Sequence, residues 1–181
     1  MRRSAVILTL IFLTSTMGGF ATSQTPSTIA VDGDVSDWSA DELMSSSNID
    51  LHMTWDASNL YIGWDGTDWK STSEGADLFI YLNTSTEGSV LSKDWGFSHT
   101  LPFAADYGFV LEDDTYFRLV SYDGSAWVDS AYVVDIFAGW EGNMLTEIAL
   151  PWAEIGSPTS LDVMLYACLL YTSPSPRDNT G

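Results

Sequence analysis

The chain has 181 residues, a formal net charge of −19 and one cysteine, Cys168. Such an acidic surface repels phosphate backbones and anionic membranes, which makes nucleic acid and heparin-like polymers poor partners and favours neutral polymers and cations. A lone thiol allows no internal disulfide, and the length is enough for one domain with its own core.

Arg2, Arg3, the mostly apolar run from Ala5 to Leu13 and the small residues Ala21-Thr22-Ser23 predict an export signal over residues 1–23. The run is short for a membrane span, so a secreted or bacterial cell-surface protein is expected, with no membrane contact after cleavage. Residues 24–167 are expected to form one domain. The final stretch, 168–181, breaks the pattern of everything before it. It reads as translated adapter sequence, or else as a Ser/Pro-rich linker to a further domain. On the first reading the domain is cut short near Ala167.

Period-two alternation dominates, and helical periodicity is nearly absent. Ile29 onward predicts a strand ending in the acidic turn Asp32-Gly33-Asp34, with Trp38 as its anchor. Leu51, Met53 and Trp55 then alternate with polar residues. Leu60, Ile62 and Trp64 do the same after Ala57-Ser58-Asn59, a turn whose Asn59 suits positive φ. This predicts an antiparallel hairpin with one buried face. Ala76 to Asn83 is apolar on both faces and is expected to be a central strand. Thr84 to Gly88 and Leu91 to Ala105 are expected to be irregular loops.

Tyr107–Glu112 and Tyr116–Ser121 should pair across Asp113-Asp114-Thr115. A second turn at Tyr122-Asp123-Gly124-Ser125 leads into Ala126-Trp127-Val128. Ala131–Phe137, Met144–Leu150 and Leu161–Ala167 complete the strands. Pro151 to Gly156 is the one helical turn, begun by proline and ended by glycine. Short strands at regular spacing predict an all-β, mainly antiparallel sandwich.

Four segments carry a resemblance: IAVDGDVSDW (29–38), TWDASNLYIGW (54–64), ADLFIYLNT (76–84) and LTEIALPWAEIG (145–156). In this order the chain resembles the family 9 carbohydrate-binding modules and the DOMON-like domain at the C-terminus of glucodextranases. The resemblance covers Ile29 to about Ala167. It implies a jelly-roll-like sandwich that binds sugar, appended to a larger secreted glycoside hydrolase. It also implies structural calcium, and a tryptophan clamp with one half just before the 76–83 strand, near Trp69.

Trp55 and Trp64 lie in phase with apolar faces and are expected in the core, and Trp38 and Trp152 should plug the sandwich. Trp69, beside Asp68, and Trp95 sit in polar settings out of phase with any apolar face. They are the expected ligand contacts, since an aromatic face can cover the C–H face of a pyranose. His99, in a long loop, is a further ligand candidate, whereas His52 should be solvated. Asp32, Asp34 and Asp37 are read first as caps of their own turn, with Ca²⁺ ligation as the alternative. Glu147 falls in the late signature and should be structural. The remaining glutamates are scattered rather than paired as glycosidase acid and base. The expected function is therefore a non-catalytic module binding neutral polysaccharide or oligosaccharide. A surface-packing domain is the alternative; a haem-binding domain or a hydrolase fits less well.

Overall fold

The computed structural model describes residues 5–6, 25–46, 49–65, 76–85, 87–93, 98–111, 116–139 and 145–169. In chain order these form β1 (Ala5–Val6), the 3-10 turns η1 (Val35–Asp37) and η2 (Ala40–Glu42), then β2 (Leu43–Ser46), β3 (Asp50–Trp55), β4 (Asn59–Asp65) and β5 (Ala76–Asn83). There follow β6 (Ser89–Leu91), β7 (Thr100–Ala105), β8 (Tyr107–Leu111), β9 (Phe117–Tyr122), β10 (Trp127–Asp129), β11 (Asp135–Phe137), β12 (Thr146–Pro151), η3 (Trp152–Ile155) and β13 (Asp162–Leu169). The fold is an all-β sandwich. One sheet runs β1-β13-β5-β8-β9-β10, with β1 a two-residue addition at its edge, and the other runs β11-β12-β4-β3-β2. β6 and β7 pair separately.

Strand alternation sends Leu51, Met53, Leu60, Ile62, Trp64, Ile148 and Leu150 from one sheet into Leu78, Ile80, Leu82, Phe109, Leu119, Val163 and Leu165 of the other. β5 is apolar on both faces because both are covered. Leu78, Ile80 and Leu82 face the other sheet, while Phe79 and Tyr81 face the β6–β7 hairpin with Leu101 and Ala105. The far face of the second sheet is covered by the N-terminal segment, where Ile29 and Trp38 pack on Tyr61, Leu145 and Ala149. Among the described residues no helix is long and apolar enough to cross a membrane.

Several local expectations change. The segment before η1 forms no strand: it bends at Val31 and Asp32, and Gly33 has a positive φ of 84°. Thr100–Ala105 is a strand rather than loop; Pro102 disguises it in sequence, yet occupies an exposed position in a two-stranded sheet, where a missing N–H costs least. Only Asp135–Phe137 of the 131–137 run is strand. Trp55 is half-buried rather than core. His52 is not simply solvated: it is half-buried, with its ring 5.4 Å from that of Trp38, and burial holds its pKa below the ordinary value. Both Glu112 and the Asp113-Asp114-Thr115 turn lie outside the described residues.

The β3–β4 turn works by a different device from the expected one. Ser157 is the one non-glycine at positive φ among the described residues, so Asn59 does not shape the turn that way. Asp56 does so instead: its carboxylate accepts from Ser58 N at 2.7 Å, Asn59 N at 2.8 Å, Tyr61 Oη at 2.8 Å and Thr28 Oγ1 at 2.9 Å. Trp152 Nε1 donates to Asp56 O at 3.0 Å, tying η3 to the same turn. Burial alone would push the Asp56 carboxyl up, but these bonds outweigh it and hold the pKa at about 2. Because the folded value is depressed, this contribution to stability is present above the ordinary value of 3.8 and is lost as pH falls through about 2. Asp56→Ala is expected to lower stability by about 1–2 kcal/mol at neutral pH. Thermal melts from pH 7 to 2 should also show a flatter acid limb in the variant; parallel limbs would mean that Asp56 is not the titrating group.

Candidate functional site

The outer face of the first sheet, away from the second, carries a row of aromatic rings. Tyr166 on β13 stacks on Phe79 of β5 at 4.8 Å between centroids, and His99 meets Tyr166 edge-on at 5.7 Å. Phe79 and Tyr81 follow at 6.5 Å, Tyr81 meets the edge of Trp127 at 5.3 Å, and Trp127 reaches Tyr122 at 5.7 Å. Such spacings suit offset and edge-to-face contact. Gly108 makes room for this row, since a Cβ there would lie 3.0 Å from Tyr81 Cδ1 and 3.1 Å from Ile80 O.

The row is closed at one end and open at the other. Phe79, Tyr81 and Tyr166 are buried under the β6–β7 hairpin, while Trp127, Tyr122 and Tyr116 are half-exposed. Two contacts fix the hairpin in place. Tyr81 Oη donates to Lys93 O at 2.8 Å and accepts from Lys93 N at 2.7 Å, and Trp127 Nε1 donates to Leu91 O at 2.9 Å.

Polar groups border the open end. Lys93 Nζ donates to Asp129 and, at 3.3 Å, to Tyr116 Oη, which itself lies 3.2 Å from both Asp129 oxygens. The Arg118 guanidinium stands over the Tyr116 ring, 5.2 Å from its centroid. The Lys93 bond holds the Asp129 carboxyl below its ordinary pKa, against a smaller upward push from burial. Burial pushes the Lys93 ammonium down, but the bonds to Asp129 and Tyr116 outweigh it and the net direction is up. The pair therefore stays ionised across the neutral range. Chemically, the open end offers two aromatic faces and a fixed set of donors and acceptors.

Of the residues expected from sequence to bind ligand, Asp68, Trp69 and Trp95 lie outside the described residues. His99 is on the outer face, but at the closed end beside Tyr166, with its backbone N–H donating to Ser92 Oγ at 2.9 Å. Tyr122, Trp127, Tyr116, Lys93 and Arg118 were missed. A signal existed: of the six basic residues in the chain, Lys93 and Arg118 are the two described, and both bracket one tyrosine.

The acidic turn is spent on its own backbone. Asp32 Oδ1 accepts from Asp34 N at 3.0 Å, and Asp34 Oδ1 accepts from Ser36 N at 2.8 Å, capping η1 and holding the Asp34 carboxyl below its ordinary pKa. Asp37 is exposed on the same turn. Asp32 and Asp34 thus cap their own turn, and among the described residues no group of three His, Cys, Asp or Glu side chains is placed to hold a metal ion.

Glu147 is likewise structural. Only 1% exposed, it accepts from Trp38 Nε1 at 2.7 Å, Gly33 N at 2.6 Å and Asp32 N at 2.9 Å. Glu42, fully buried, accepts from Ser27 Oγ and, at 2.7 Å, from Ser39 N.

Comparison with protein-family models, with curated proteins and with solved structures gives no match to this chain.

Proposed function

We propose that the chain is a non-catalytic exported module that binds a largely neutral glycan at the open end of the aromatic row. The observation that carries this reading is the half-exposed strip of Trp127, Tyr122 and Tyr116, bordered by the Lys93–Asp129 pair. An indole or phenol face takes the C–H face of a pyranose, and the adjacent ammonium, carboxylate and phenol groups bind its hydroxyls. The hairpin contacts through Tyr81 and Trp127 preorganise these groups, which lowers the ordering cost of binding. A shallow site of this size should bind in the micromolar to millimolar range, about −8 to −4 kcal/mol. Trp69, with Asp68, and Trp95 remain proposed contacts on the strength of their sequence settings. Attachment to a secreted glycoside hydrolase is the biological context proposed.

Affinity electrophoresis on soluble α-glucan and xylan tests this. Trp127→Ala is expected to weaken retention about tenfold or more, the loss of one well-used aromatic contact (~1.4 kcal/mol). Val35→Ser, on η1 beside the other sheet, should leave retention unchanged. Because Trp127 also holds Leu91 O, Tyr122→Ala serves as a second variant with less effect on the hairpin. Retention that survives both substitutions would remove this strip from the site, and Trp69→Ala in the same gel would then test the other candidate.

A packing role at the cell surface is the second reading. It draws on exposed Val90, Leu91 and Val128 close to the same strip. A blank glycan array with concentration-dependent self-association would favour it.

A further inference from the structure

We infer that the glycan taken at this strip carries carboxylate groups, as uronic acid residues do, and that Arg118 is the residue that selects them. This rests on the glycan-binding reading and narrows it. The overall charge of −19 argues against a polyanion, but exposed charges more than about 8 Å apart are largely screened at physiological salt. The local charge therefore decides recognition of a single anionic group, and at the strip it differs from the average. Both described basic residues are here, with one carboxylate, Asp129, between them.

The two cations are not equivalent. Lys93 is committed to Asp129 and Tyr116. Arg118 forms no ion pair among the described residues; its one hydrogen bond is from Nη1 to its neighbour's carbonyl, Phe117 O, at 2.9 Å. The ring of Tyr116 supports the guanidinium from one side. Most of its five N–H donors are left for a ligand, in the planar fork that matches a carboxylate bidentately.

Arg118 also lies on the right line. β10 pairs with β9 so that Trp127 is opposite Tyr122 and Asp129 opposite Val120. Arg118 is the next residue of β9 on the same face, four residues from Tyr122, or about 13 Å along the strand. A short oligosaccharide lying along β9–β10, with one sugar on Trp127, brings a side carboxylate of a nearby sugar to Arg118.

The test compares xylan bearing glucuronic acid groups with the same polymer after its carboxyls are reduced to alcohols, by titration calorimetry with the full chain at low and at physiological salt. The wild type should bind the acidic polymer about tenfold more tightly, with the preference shrinking as salt rises. Arg118→Gln should abolish the preference, lowering affinity for the acidic polymer about tenfold more than affinity for the reduced one, and Arg118→Lys should keep only part of it. A sulfated, uronate-free xylan should gain less than the uronate polymer, because sulfate lacks the planar oxygen pair. Equal affinity of the wild type for acidic and reduced polymer, or a preference that survives Arg118→Gln, overturns the inference but not the glycan-binding reading. Failure to bind either polymer overturns both. A thermal melt of Arg118→Gln within a few degrees of wild type confirms that the comparison concerns binding.

Discussion

Glu147→Ala is expected to destabilise the protein by about 3–4 kcal/mol, because it leaves two buried donors, Trp38 Nε1 and Gly33 N, without their acceptor and removes one of the two acceptors of Asp32 N, which also donates to Ala30 O. The indole N–H of Trp38 and the backbone N–H groups of Asp32 and Gly33 converge on this one carboxylate, which forms no ion pair among the described residues. The residue fastens the N-terminal segment to β12, so its loss should also loosen Ile29 and Trp38 from Tyr61, Leu145 and Ala149. Glu147→Gln keeps one acceptor oxygen but turns an amide N–H₂ toward N–H donors, and about 2–3 kcal/mol is expected. Urea denaturation measures both. The pH dependence has a definite sign. Burial pushes the Glu147 carboxyl above its ordinary value of 4.5, and the N–H bonds only partly counter this. Between that value and the raised one the native state binds more protons than the unfolded chain, so this group's contribution is full below 4.5 and diminishes as pH rises through the folded value. The gap between wild type and Glu147→Ala should therefore narrow with rising pH in that window. A gap that widens would show that the three N–H donors favour the carboxylate more than burial disfavours it.

The sandwich was legible because its strands obey simple rules. β5 is apolar on both faces and lies in mid-sheet, Leu60, Ile62 and Trp64 of β4 share the inner face as their spacing predicts, although Tyr61 and Gly63 on the other face are buried as well, and η3 is flanked by Pro151 and a left-handed Gly156 with φ 76°. What escaped prediction had specific physical causes. The acidic turn was legible, since carboxylates accepting from N–H groups two residues on favour tight turns and lead into η1, but the strand expected before it does not form. The β6–β7 hairpin was hidden by Pro102. Trp127 falls in a short strand and carries no role in the sequence reading, which looks for ligand contacts among tryptophans in polar settings out of phase with an apolar face. On the first sheet the outer face is itself apolar and only half covered, so a residue in phase with Val120 and Phe79 can still meet solvent at the uncovered end. Phase reports which face a residue is on; the reach of the covering hairpin decides whether that face is closed.

Gly63→Ala should cost about 2–3 kcal/mol in the wild type, as overpacking of a filled site does, and almost nothing once Trp38 is phenylalanine. Gly63 lies mid-strand in β4 and is buried, directly beneath the indole. A Cβ there would fall 2.8 Å from Trp38 Cζ2 and 3.1 Å from Cε2. The ring has little room to retreat, with His52 on one side and Glu147 holding Nε1 at 2.7 Å. Moving it breaks the bond to Glu147, so the cost of Gly63→Ala includes part of that bond. Trp38→Phe alone removes the N–H and leaves one Glu147 oxygen unpaired, which should cost about 2 kcal/mol. It also removes the indole edge that presses on Gly63. In that background alanine meets no obstacle, and its lower unfolded-state entropy offsets any residual strain. The double variant should thus be more stable than the sum of the single changes predicts by more than about 1 kcal/mol, a coupling that urea denaturation of the four proteins resolves. Strict additivity would mean that glycine is required at position 63 by the backbone of β4 rather than by the ring above it, and the link from β4 through Trp38 to Glu147 would have to be abandoned.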